Sequence, residues 1–387
     1  MRYTDLSLWH ATCDEELLPR PALPGPVDVD VAVVGAGFTG LWTAYYLKQL
    51  DPSLRVAIVE RHIAGFGASG RNGGWVSALF PASRAKLASL PGSSRAGAIA
   101  LTAHLRETVD EIGRVADKES IDCSYAKGGT IVFARSPSQV ARAREQVAES
   151  RSWGDTEEDL RWLDAGEAQQ HARAAGALGA TYTPHCARIH PARLVRGLAA
   201  SVERQGVDIY EQTTATGIGP RRVTTDRGEI TADVVVRATE GYTPGLPGHE
   251  REVIPVYSLM VATEPLTEQL WDGIGLSSFP TFSDHRHLII YGQRTADGRL
   301  AFGGRGAPYH FRSSIKPEFD RNETVFAALR ATLLDLFPQL TGVAFTSAWG
   351  GPLGVPRDWT ASVGLDRRTG VGWAGGYVGD GVSTTNL

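Results

Sequence analysis

The stretch DVDVAVVGAGFTG, Asp28 to Gly40, decides how this chain begins to fold. Its first half is a short apolar run, Val29 to Val34, which stops abruptly in Gly35-Ala36-Gly37-Phe38-Thr39-Gly40. A helical-looking segment, LWTAYYLKQL, follows, and a second apolar run, Val56 to Val59, ends on Glu60. Strand, glycine turn, helix, strand and acid, in that order, make the βαβ setting that a dinucleotide fingerprint requires. Gly35 permits the tight turn, Gly37 lets backbone approach a pyrophosphate, and Gly40 lets helix and strand pack closely. The helix start at Phe38 and Thr39 offers free N–H groups and a positive dipole end to phosphates. Glu60, 25 residues after Gly35 and followed by Arg61, is placed to accept hydrogen bonds from ribose hydroxyls.

Composition narrows the class. At 387 residues the chain is long enough for two domains or one large interleaved fold. Its formal net charge of −4 gives no electrostatic case for binding nucleic acid or an anionic membrane. Cys13, Cys123 and Cys186 are widely spaced and make no CxxC, which fits free thiols in a reducing compartment. The N-terminus has no apolar signal core, and no run of 18 apolar residues occurs. A cytoplasmic protein is expected.

Beyond Glu60, the segment IAGFGASGRNGGWVSALFP places five glycines around Phe66, Trp75 and Phe80. So many glycines beside aromatics that are costly to leave in water imply backbone held against a ligand. Residues 1–18 read as a polar lead with one anchor, Leu8-Trp9, and Pro19 to Pro26 as a stiff linker. Apolar spacings of three and four predict helices over Ser94–Lys118, Val140–Arg151, Asp164–His171, Pro191–Gly206 and Asn322–Phe337. From Val207 the period changes to two, and Val207–Tyr210, Thr214–Ile218 (with Ala215), Arg222–Thr225 and Glu229–Arg237 read as short strands. A second strand-rich block runs from Val253 to Gly304, and the tail from Ala344 is again rich in glycine.

Four stretches occur together: VAVVGAGFTG with VAIVE, GASGRNGG at 67–74, VVVRATEGYT at 234–243, and GGYVGDGVSTTN at 375–386. Jointly they resemble the FAD-dependent D-amino-acid oxidase/glycine oxidase superfamily, and within it the γ-glutamylputrescine oxidase-like amine oxidoreductases. The resemblance implies an α/β fold, in which a Rossmann-like FAD-binding domain of glutathione-reductase type interleaves with an α+β substrate domain containing an antiparallel sheet. The expected division is 1–85, 181–247 and 345–387 for FAD, with 86–180 and 248–344 for substrate. By the same resemblance Gly35, Gly37 and Gly40 line the pyrophosphate and Glu60 the ribose. Ser69, Arg71, Asn72, Gly73 and Gly74 cradle the pyrophosphate and flavin edge. Ala238, Thr239, Glu240 and Gly241 pass near FAD, and Gly379, Asp380, Gly381 and Val382 start a helix aimed at the flavin.

There are departures from that pattern. Relatives with covalent flavin use a His in the GASGRNGG region or a late Cys; here position 71 is Arg and no Cys follows Cys186, so FAD is expected to be non-covalent. Gln293 stands where the amine oxidoreductases commonly have Arg, with Arg294 next to it, and Glu240 where Asn is commoner. Relatives run on past the position of Leu387 into a C-terminal helix.

The resemblance implies oxidation of a small amine by hydride transfer to flavin N5, with O2 or another acceptor taking the electrons. An alkylamine must be neutral to react, which a desolvating aromatic pocket favours without a dedicated base. Trp75, Tyr257, Met260, Tyr291, Trp349 and Tyr377 are the candidate walls. His285-Arg286-His287 reads as an exposed strand end and not a metal site, Asp284, Asp272 and Glu264 as surface charges, and His190 as a helix cap. Two other readings stay open. One is an amino-acid oxidase of glycine, sarcosine or D-amino-acid type, which an arginine such as Arg294 or Arg305 facing the flavin would favour. The other is a flavin-binding subunit without turnover of its own.

Overall fold

The computed structural model describes residues 2–306 and 309–387. Two eight-stranded sheets organise them. In the first, Val27–Val34 pairs in parallel with Val56–Val59 on one side and Gly228–Arg237 on the other. Val207–Tyr210 and Val371–Gly375 extend it in parallel, and Ser362–Asp366 closes one edge antiparallel. Val31 and Val33 face the core built with Leu41, Trp42, Tyr45, Ile112 and Leu198, whereas Val29, Ala32 and Val34 pack on the opposite face with Ala57 and Ile230. Burial on both faces explains why the strand reads as an unbroken apolar run rather than an alternating one.

The second sheet has the order Phe345–Pro356, Val253–Thr263, Leu300–Gly304, Ile290–Arg294, Thr281–Asp284, Thr130–Ala134, Gly179–Thr183, Arg161–Asp164. Its pairs are antiparallel except Thr281–Asp284 with Thr130–Ala134. One face buries Ile131, Phe133, Phe282 and Phe302 against the helix Glu323–Leu336, through Phe326, Leu329 and Leu333. Sheet membership departs from the expected division at two places. Gly179–Thr183 lies wholly in the antiparallel sheet, and Phe345–Pro356 is paired along Val253–Thr263 rather than joined to the parallel sheet. Neither switch coincides with a change in composition, so only the pairing reveals it.

The helix Arg95–Lys118 is capped by Ser94, whose side chain accepts from Gly97 N, and it buries Leu105, Val109, Ile112 and Ala116 as their spacing predicts. His190 caps Pro191–Arg204, its Nδ1 accepting from Arg193 N. The histidine triplet differs from expectation. The strand ends at Asp284, so His285 and His287 do not alternate along it. Asp284 is buried, not a surface charge, and the Arg286 Nε folds back to both its carboxylate oxygens, at 2.7 and 2.9 Å. Among the described residues no helix is long and apolar enough to cross a membrane.

Candidate active site

The glycine turn opens into a cavity of about 410 Å³. Gly35, Gly37, Phe38 and Thr39 form one wall, Glu60 and Arg61 another, and Ala215, Ala238, Thr239 and Gly241 a third. The three fingerprint glycines do different work. Gly35 has φ +110°, and a Cβ there would meet Ala238 O at 2.5 Å; one at Gly40 would meet Gly35 O at 2.0 Å. Gly37 caps the helix Phe38–Leu50 with no side-chain hydrogen bond, which leaves that helix start open to an anion. Glu60 Oε2 accepts from Ala36 N at 3.1 Å and Oε1 from His62 N at 2.9 Å. Burial pushes its carboxyl up to about 7.

The segment 67–74 is held from several sides. Ser69 Oγ accepts from Phe38 N at 2.8 Å, and Asn72 Oδ1 from Gly74 N at 2.7 Å. The buried Arg71 guanidinium donates to Asp320 at 2.7 Å, Gly350 O at 3.0 Å and Tyr242 Oη at 2.8 Å. Gln293 Nε2 donates to Gly73 O at 2.7 Å, and a Cβ at Gly74 would strike that nitrogen at 2.0 Å. The N-terminal lead does more than anchor itself. Trp9 Nε1 donates to Asn72 O at 2.8 Å, Ser7 Oγ to Gly70 O at 3.3 Å, and His10 sits where a Gly70 side chain would go. Nothing local in the sequence marks this brace, because its partners lie 63 residues away.

A second cavity, of about 830 Å³, adjoins the first; both are lined by Ala68, Asn72, Leu353, Gly379 and Val382. Arg71, Gly73, Trp75, Tyr291, Arg305 and Asp380 line the larger one. The Trp75 and Tyr291 rings meet edge to face at 6.3 Å, and Tyr291 Oη bonds Ser258 Oγ at 2.7 Å. Burial pushes Asp380 up to about 6, with Arg305 opposing the shift. Arg305 donates to Val378 O at 2.7 Å and has no carboxylate within 4 Å among the described residues. Arg294 lies elsewhere, stacked 4.2 Å from the Trp271 ring centre.

Of the aromatic candidates, Trp75 and Tyr291 line the larger cavity and Tyr377 the smaller, where its hydroxyl accepts from Thr39 Oγ1 at 3.2 Å. Tyr257 and Trp349 line neither. Tyr257 is buried in the antiparallel sheet's core, and Trp349 packs with Met260 behind the cradle, its Nε1 donating to Arg71 O at 2.9 Å. Gly40 and Gly74 also line neither cavity, since their role is close packing. Gly381 and Val382 begin a helix of four residues, Gly381–Thr384, at the edge of the smaller cavity. Glu240, within the stretch expected to pass near FAD, lines that cavity at φ +40° and accepts from Gly354 N at 3.2 Å and Gly376 N at 2.9 Å.

An open helix start, glycines that leave room for a pyrophosphate, and an acid at the end of the second strand fit a dinucleotide, and the adjoining cavity fits its reactive end with a substrate. This is the class of a dinucleotide-dependent oxidoreductase. Residues 30–387 match the family described as DAO, FAD dependent oxidoreductase, and the chain belongs to that family. It is 29% identical to γ-glutamylputrescine oxidoreductase of Escherichia coli strain K12, covering 98% of this chain and 86% of that one. It is likewise 29% identical to the probable oxidoreductase OrdL of Haemophilus influenzae, covering 95% and 82%. The fold is similar to glycine oxidase from Geobacillus kaustophilus, with a TM-score of 0.75, 22% identity and coverage of 93% and 92%. The cofactor is FAD.

Glu60 gives a pH test. Its carboxyl is raised, so its contribution to apo-protein stability is full below the ordinary carboxylate range and is lost as pH rises through about 7. On the proposal that Glu60 holds the FAD ribose, whose hydroxyls donate best to the ionised form, FAD affinity should rise as pH passes through about 7. Glu60→Gln is expected to flatten that rise and to weaken FAD about tenfold above it, the worth of one charge-assisted hydrogen bond, ~1.5 kcal/mol. Fluorescence titration of apo-protein with FAD checks both.

Proposed function

We propose that the protein oxidises the C–N bond of an elongated amine, giving an imine that water hydrolyses to an aldehyde or ketone. When bound, non-covalently, FAD would supply the hydride acceptor at N5, with O2 as the final electron acceptor in this reading. The observation that carries the reading is the aromatic pair Trp75–Tyr291 in a cavity that adjoins the dinucleotide cleft. An alkylamine is protonated at pH 7, and neutralising it costs ~4 kcal/mol at ~1.36 kcal/mol per pH unit. Removing the ammonium from water against those rings favours the neutral form. Asp380 is a titratable group lining the same cavity, placed to hold the released proton. Two relatives are named for γ-glutamylputrescine and glycine, both amines. The volume favours the longer kind, since a glycine-sized molecule displaces only a few waters of ~30 Å³ each.

Arg305 supports a second reading, an amino acid whose carboxylate pairs with that guanidinium. Anaerobic mixing of the FAD-loaded enzyme with amines and amino acids separates the two. Loss of the oxidised flavin's visible absorbance with long amines, little affected in Arg305→Gln, supports the first. Reduction only by amino acids, slowed at least ~tenfold in Arg305→Gln, supports the second. A loaded enzyme that none of them reduces refutes both.

A further inference from the structure

The larger cavity extends well past Trp75, and its far wall is one face of the antiparallel sheet. Cross-strand register puts Thr183, Thr130 and Thr281 in one row and Thr181, Val132 and Ser283 in the next. The alternate residues of these strands, Ile131, Phe133 and Phe282, fill the apolar core on the other side. The sheet therefore turns the Thr130, Thr181, Thr183 and Ser283 side chains, not hydrocarbon alone, toward the cavity. Thr281 lies behind them, with its Oγ1 2.7 Å from Thr130 Oγ1. Ser283 Oγ donates to Ile290 O at 2.6 Å and keeps its lone pairs for a ligand N–H. His285 completes the wall, its Nε2 at 3.2 Å from Thr181 Oγ1. Burial and the nearby Arg142 hold its imidazole down to about 4, so it is neutral at pH 7.

Most charged groups at this end are matched against one another; Glu149, exposed at the rim, is the exception among the described residues. Asp155 pairs with Arg84 and Arg106, and Asp159 with Arg106 at 3.0 Å and His185 at 3.1 Å. Among the described residues an anionic ligand group here would lose its water without gaining a free cation, whereas a neutral amide meets hydroxyls and the His285 ring along the wall.

We infer that this far half is a second subsite that takes the uncharged, hydrogen-bonding tail, an amide or hydroxyl, of the substrate. It deepens the elongated-amine reading and rests on it for the role of substrate. Calorimetry of the FAD-loaded enzyme with N-butylacetamide, pentanoate and butylammonium tests it without turnover. N-Butylacetamide is expected to bind, and Thr181→Val and Ser283→Ala each to weaken it roughly three- to tenfold, the effect of one neutral hydrogen bond. Amide affinity unchanged in both variants, or a loss confined to pentanoate or butylammonium, overturns the inference. If the amide binds through Thr181 yet no amine reduces the flavin, the subsite stands and the amine reading falls.

Discussion

Arg71→Met is expected to destabilise the protein by ~3–5 kcal/mol, the usual effect of removing one partner of a buried ion pair. The substitution strands the Asp320 carboxylate, the Tyr242 hydroxyl and the Gly350 carbonyl together. Arg71 is itself buried, and Asp320 has no other ion-pair partner among the described residues. Because Arg71 lies within the cradle segment, flavin content should fall with stability. Arg71→Lys should recover only part, since an ammonium cannot reproduce a fork that reaches three acceptors. Adding Asp320→Asn to Arg71→Met should recover stability by removing the stranded charge. Denaturant melts of the three variants read this out, and a wild-type midpoint for Arg71→Met would remove the structural role assigned to that side chain.

Gly37→Val is expected to abolish FAD binding while leaving a folded chain. Gly37 has φ −86°, which any residue adopts, and its Cβ would meet only the Ser69 side chain, with Oγ at 2.9 Å. A branched side chain there displaces Ser69 from Phe38 N and fills the approach to the helix start. Losing two charge-assisted hydrogen bonds at ~1.5–3 kcal/mol each predicts at least ~100-fold weaker binding. Gly35→Val and Gly40→Val differ, because they meet backbone at 2.5 and 2.0 Å and should fail to fold. Circular dichroism with flavin content separates the cases; an unfolded Gly37→Val, or one that retains FAD, contradicts the assignment.

Much of this was legible without coordinates because the signals are local. The βαβ unit, its turn and the acid after its second strand all fall between Asp28 and Glu60, where chain connectivity alone brings them together. The helix caps at Ser94 and His190 likewise depend on near neighbours, Gly97 and Arg193. The aromatic candidates were less so. Trp75 and Tyr291 reach the larger cavity and Tyr377 the smaller, but Tyr257 and Trp349 are core residues, and composition does not distinguish a pocket wall from packing.

By itself, then, the sequence determined the nucleotide fold, the family and the glycines that the turn's close backbone packing requires, since each follows from period, backbone freedom and short-range order. Only the tertiary structure decided that Arg71 is locked to Asp320, that Trp9 and Ser7 brace the cradle, that Arg305 and not Arg294 lines the cavity, and that a hydroxyl face lies beyond Trp75. Those facts depend on pairings across 63 to 249 residues, which strand register and packing set and local spacing cannot encode.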